Sequence, residues 1–171
     1  MMGEIQRQAL GPVNVAALLR LRASRLTTGN KTFMIFEGRA WTFRQTYAMA
    51  RRYGQLFADR SKGGQLKVGI YQDNTPDYVF AVLGAAYSGT VVFGLNTGFR
   101  GATLRGVVEE SGIELILAAA NTLAEVEAAG LSGVEILVDP ELPVARGRAN
   151  LRPDSRAPYL VIFTSGTTGL P

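Results

Sequence analysis

Lys67-Val68-Gly69-Ile70-Tyr71 is a short apolar run, closely followed by Thr75-Pro76-Asp77 and then by a stretch, Tyr78 to Phe99, without one charged residue. A stretch of that length raises a membrane-spanning helix, which needs about 20 apolar residues. Its composition supports a different parse. Gly84, Gly89, Gly94 and Gly98 interrupt it, and Thr90 to Leu95 turns β-branched and aromatic. Thr75 is suited to cap a helix, Pro76 to occupy its first turn, and Asp77 to sit at the positive end of its dipole. The reading is a strand over 67–71, a helix over 76–87 and a buried strand over 90–95.

The same alternation continues downstream. Gly101 to Glu110 reads as a helix, Ile113 to Ala118 as a strand, Thr122 to Ala129 as a weak helix closed by Gly130, and Val134 to Val138 and Tyr159 to Phe163 as further strands. Short continuous apolar strands separated by helices predict an α/β fold, a mostly parallel sheet with helices on both faces. Between the last two strands, Asp139 to Pro158 carries Pro140, Pro143, Pro153 and Pro158 and reads as a connector. Upstream, Thr32 to Phe36 and Trp41 to Phe43 flank Glu37-Gly38-Arg39-Ala40, which predicts an N-terminal β-hairpin. Thr42 and Gln45 then form a capping box, and Phe43, Tyr47, Ala50, Gly54 and Phe57 make one apolar helical stripe, placing Tyr47 and Phe57 in the core.

The chain has 171 residues, 47% hydrophobic and 19% charged, which fits one globular core and excludes disordered and low-complexity classes. Cysteine and histidine are both absent. Disulfides, thiol nucleophiles, imidazole bases and Cys/His zinc sites are therefore excluded. The first ten residues, with Glu4 and Arg7, lack the apolar centre of a signal peptide, so the expected location is cytoplasmic. A formal charge of +4 invites a polyanion partner. The arginines, however, fall in separate groups at 20, 22 and 25, at 51 and 52, and at 146–156, without interleaved aromatics. They read as solvated surface, with no nucleic-acid partner and no membrane span.

The segment richest in chemistry is the last. Tyr159-Leu160-Val161-Ile162-Phe163 runs into Thr164-Ser165-Gly166-Thr167-Thr168-Gly169-Leu170-Pro171. Gly166 and Gly169 permit positive φ and close backbone approach, so successive N–H groups can turn toward one anion, and the four hydroxyls add donors for phosphate oxygens. The glycine spacing and the missing lysine exclude a Walker A loop, and a dinucleotide fingerprint fails similarly. A structural hydroxyl-rich turn is the other reading of the same composition.

Phe163 to Pro171 resembles the phosphate-loop signature of the AMP-forming acyl-CoA synthetases, the adenylate-forming superfamily. The resemblance extends over Gly38 to Phe43, Val68-Gly69-Ile70, Asn74 to Tyr78, Leu83 to Val92 and Gly94 to Thr97, with a flavour of fatty-acid and carnitine-type ligases. It implies the partial N-terminal domain of the adenylate-forming fold, with residues 1–171 an incomplete AMP-binding domain. It implies a ligase in which a carboxylate attacks the α-phosphate of Mg-ATP to give acyl-AMP, after which the CoA thiol takes the acyl group. Thr164, Ser165, Gly166, Thr167, Thr168 and Gly169 would hold the β- and γ-phosphates, and no residue would serve as a general base.

ATP, Mg2+ and CoA are thus expected for the full enzyme, with a small-molecule carboxylate as substrate. The family continues with a Lys-Gly pair where this sequence stops, and Ala157 to Pro171 contains no cation. Charged donors strengthen phosphate hydrogen bonds, so the 171 residues alone are expected to be inactive and to hold no cofactor tightly. Self-association through the surface left at the terminal strand is a further expectation. The alternative is a non-catalytic α/β interaction module with a structural Gly/Thr turn. Asn96 and Thr97, just past a strand, read either as facing a ligand crevice or as capping the next helix, the cap being preferred.

Overall fold

The computed structural model describes residues 14–146 and 156–163. The candidate phosphate loop, Thr164 to Gly169, and residues 147–155 of the connector lie outside them. In chain order the elements are α1 (Val15–Ser24), the hairpin β1 (Thr32–Phe36) and β2 (Arg39–Thr42), α2 (Phe43–Ala58), β3 (Lys67–Tyr71), α3 (Pro76–Ser88) and β4 (Val91–Gly94). Then follow α4 (Gly101–Ser111), β5 (Leu115–Ala118), a 3-10 turn (Ala120–Thr122), α5 (Leu123–Ala128), β6 (Glu135–Val138) and β7 (Leu160–Ile162).

The caps of α2 and α3 act as read, whereas the hairpin turn is tighter than the expected Glu37 to Ala40. Glu37 and Gly38, both at positive φ, make the turn alone, Arg39 and Ala40 pair with Phe36 and Ile35, and Phe43 opens α2 instead of ending the strand. Thr42 Oγ1 accepts from the Gln45 amide while the Gln45 side chain accepts from the Thr42 amide, closing the capping box of α2. Thr75 caps α3 with Pro76 in its first turn, and the uncharged stretch divides into that helix and β4. Among the described residues no helix is long and apolar enough to cross a membrane.

β3 to β7 form one sheet in the order β6-β5-β3-β4-β7, every neighbouring pair parallel. Alternate strand residues point to opposite faces. Val68, Ile70, Val92, Leu115 and Leu117 meet Tyr53, Phe57, Phe80 and Ala85 of α2 and α3 on one side. Tyr71, Ile116 and Ala118 meet Leu104, Val107, Val108 and Val126 of α4 and α5 on the other. Helices thus cover both faces, as the alternation predicts, and α1 adds an outer layer through Leu19, which packs with Ala50 and Leu83.

Two polar contacts stitch the first helical layer. Tyr53 Oη donates to Asp77 Oδ1 at 2.9 Å, and Arg52 donates to the carbonyls of Leu142 and Pro143, fixing the start of the connector. Burial, then the charge of Asp77 and the bond to it, push the Tyr53 hydroxyl well above its ordinary value of 10.0. The folded state therefore holds the proton more firmly than the unfolded chain does. That contribution is complete below about pH 10 and is lost as pH rises above it. Tyr53→Phe is expected to cost about 1–2 kcal/mol at neutral pH and to flatten the alkaline fall of stability, checked by urea unfolding at pH 7 and above pH 10.

Candidate functional site at the carboxyl edge of the sheet

Because β3 to β7 are all parallel, their carboxyl ends share one edge, the edge at which open α/β sheets bind ligands. β7 delivers the chain to that edge immediately before Thr164. Its placement is over-determined: Val92, Phe93 and Gly94 are in register with Leu160, Val161 and Ile162, the Val92 amide donates to the Tyr159 carbonyl at 3.0 Å, and Gln65 Nε2 donates to the Pro158 carbonyl at 2.9 Å.

Phe163, the last described residue before the loop, is held by two rings. It stacks on Phe93 with centroids 6.3 Å apart and meets Phe99 edge-on at 6.4 Å. Such aromatic pairs are worth about 0.5–1.5 kcal/mol each beyond their buried area. Phe163 is thereby pinned beside the turn between β4 and α4.

That turn is built around Tyr71 and Arg100. Tyr71 ends β3 fully buried, and its Oη lies 3.0 Å from the Thr97 carbonyl and 2.6 Å from that of Phe99. Arg100 Nη1 donates to Tyr71 Oη at 2.6 Å, to the Phe99 carbonyl at 3.0 Å and to the Thr97 carbonyl, while Nη2 lies 3.6 Å from Glu125 Oε1. Burial raises the Tyr71 hydroxyl above its ordinary range, opposed by the Arg100 charge. On the other side of β3, Thr122 Oγ1 donates to the Tyr71 carbonyl at 2.8 Å. The crossover from β3 runs to β4 and that from β5 runs to β6 on the opposite side, so β3 and β5 mark the topological switch point, where Thr122 closes the strand ends together.

Asn96 and Thr97 take a different part from the one expected. The N-cap of α4 is Arg100, without a side-chain cap bond. Asn96 Oδ1 accepts from the Gly98 amide at 2.8 Å, and the Thr97 carbonyl accepts from Tyr71 and Arg100. The short Asn96 side chain closes its own turn two residues on and so is not free to cap α4, which starts at Gly101 as read. Sequence reading passed over Tyr71, Arg100 and Glu125; the available signal was that Arg100 is the first charge after the uncharged stretch 78–99. The predicted loop residues Thr164 to Gly169 lie outside the described residues, so what the structure supplies is their point of attachment. Among the described residues there is no group of three or more Asp, Glu, His or Cys able to hold a metal.

Residues 21–171 match the family described as AMP-binding enzyme, and the chain belongs to that family. Over 142 residues it is 30% identical to the steroid-22-oyl-CoA synthetase of Rhodococcus jostii (strain RHA1), covering 75% of this chain and 25% of that protein. It is 30% identical over 138 residues to the hybrid PKS-NRPS synthetase xenE of Xenoacremonium sinensis, covering 78% of this chain and 3% of the other. A fatty acyl CoA synthetase from Mycobacterium tuberculosis superposes with a TM-score of 0.78 at 17% identity, over 89% of this chain and 32% of that one. The chain thus spans a quarter or less of the length of these two sequence relatives. The parallel sheet with its N-terminal hairpin is the fold of the N-terminal part of the adenylate-forming enzymes.

Proposed function

We propose that the chain is the leading part of the AMP-binding domain of a cytoplasmic ATP-dependent carboxylate–CoA ligase working through an acyl-adenylate, with a fatty acid as the carboxylate. The observation that carries this reading is the attachment of the hydroxyl-rich loop: β7, in parallel register with β4, leads it to the carboxyl edge of the sheet, with Phe163 clamped at its base. From there the amides of Gly166 to Gly169 and the hydroxyls of Thr164, Ser165, Thr167 and Thr168 would orient the β- and γ-phosphates of ATP.

The chain's contribution is positioning and charge stabilisation, with no proton transfer by its own side chains. Among the described residues no cluster of three or more Asp, Glu, His or Cys could hold Mg2+. The 171 residues alone hold phosphate through neutral donors and release no pyrophosphate from ATP and a carboxylate. Ile162, 66% exposed on β7, supports self-association along that strand.

Amide NMR tests the loop's role. Millimolar pyrophosphate is expected to shift the Gly166 to Gly169 resonances, weakly and saturably, and to leave those of α4 and α5 in place. Unchanged loop resonances would return the segment to a structural turn and the chain to a non-catalytic interaction module.

A further inference from the structure

Helix α1 has apolar residues on two sides. Ala16, Leu19 and Ala23 face inward, with Leu19 seated against Ala50 and Leu83. At 100° per residue, Leu18, Leu21, Arg22 and Arg25 fall on the opposite side. Leu18 is 49% exposed and Leu21 38%, and Leu26, just beyond the helix, is 90% exposed. Arg20, Arg22 and Arg25 are all exposed, and none is in an ion pair among the described residues.

This face is the outermost layer of a molecule whose charge is divided across the sheet. Between residues 14 and 58, which form α1, the hairpin and α2, Glu37 is the only acid against eight Lys and Arg. Beyond the sheet, residues 101–130 carry Glu109, Glu110, Glu114, Glu125 and Glu127 against Arg105 alone. Such a dipole orients the α1 side toward a negatively charged surface. Two exposed leucines one helical turn apart, set among exposed arginines, match an interfacial helix lying in the headgroup plane. Scattered solvated arginines, the expectation from sequence, leave Leu18 and Leu21 without a role.

We infer that the outward face of α1 docks this chain peripherally on an anionic phospholipid surface. The leucines enter the acyl boundary, Arg22 and Arg25 pair with phosphate headgroups, and nothing spans the bilayer.

Vesicle flotation with the full 171-residue chain tests this. The chain should float with phosphatidylcholine vesicles doped with phosphatidylglycerol, much less with phosphatidylcholine alone, and less again at high salt, where surface charges are screened. Leu18→Ser with Leu21→Ser and, separately, Arg22→Glu with Arg25→Glu should each lower partitioning about tenfold or more, with unchanged circular dichroism, since all four side chains are exposed. Failure to float with either vesicle would overturn the inference. So would flotation that survives the leucine pair, which would mark unspecific charge attraction. A concentration-dependent dimer in light scattering, abolished by the leucine pair with no vesicle binding, would assign the face to a second copy instead.

Discussion

Gly84→Val is expected to remove about 4 kcal/mol or more of stability, enough to unfold many domains of this size. A Cβ at Gly84 would lie 2.6 Å from Tyr53 Cβ, 2.9 Å from the Ala50 carbonyl oxygen and 2.9 Å from the Gly54 nitrogen. Two of these are backbone atoms of α2, which cannot swing aside as a flexible side chain would. α2 and α3 must separate, and the layer between them and the sheet holds Tyr53, Phe57, Phe80, Ala81 and Ala85. Leu19 of α1 rests on the same pair through Ala50 and Leu83, so the disturbance spreads to the outer helix. Overpacking alone costs about 1–3 kcal/mol, and the opened layer adds lost burial. Urea unfolding checks this: Gly84→Ala should fall between wild type and Gly84→Val, and a Val variant with the wild-type midpoint would refute so close a crossing.

The second large effect belongs to Arg100→Ala. Removing the guanidinium takes away the donor to Tyr71 Oη and to the Thr97 and Phe99 carbonyls, leaving the single Tyr71 O–H proton between two carbonyls. Hydrogen bonds from a charged donor are worth about 1.5–3 kcal/mol, but half of this side chain faces water, so about 2 kcal/mol is expected in thermal or urea unfolding. The diagnostic readout is spatial. Phe99 supplies both a bound carbonyl and a ring against Phe163, so the NMR changes should run through Phe99 to Phe163 and Phe93 and spare α1. Arg100→Lys should restore only part of the loss, because a point ammonium cannot reproduce the planar fork. An Arg100→Ala spectrum unaltered at Phe163 would show that the turn and the loop base are independent.

How much of this was legible beforehand varies with the range of the interactions involved. Thr75-Pro76-Asp77 and the Thr42/Gln45 box are set by contacts within a few residues and sit where the sequence put them. The hairpin was legible, but its turn closes two residues sooner, at Glu37-Gly38, because Arg39 and Ala40 pair with Phe36 and Ile35. The alternation of strands and helices made the parallel sheet readable. Strand order was not readable, because the pairing of β4 with β7 rests on residues far apart in sequence. The Tyr71–Arg100 hub escaped notice for the same reason: a tyrosine at a strand end and an arginine after a loop acquire meaning only once β3 and β4 lie side by side. The preference for Asn96 or Thr97 as a helix cap was misplaced because an Asx turn competes for the same side-chain oxygen. The outward leucines of α1 become visible only when Leu19 has been assigned to the core.

β7 has three residues and, among the described residues, a single neighbouring strand. A ladder that short opens at lower free energy than the central strands and should be among the first to exchange its amide protons. A phosphate that bound the proposed loop only with β7 docked would draw that local equilibrium toward the closed strand. Anion capture and strand closure are in that case one linked equilibrium, each tightening the other, so an occupied cradle would also finish the sheet.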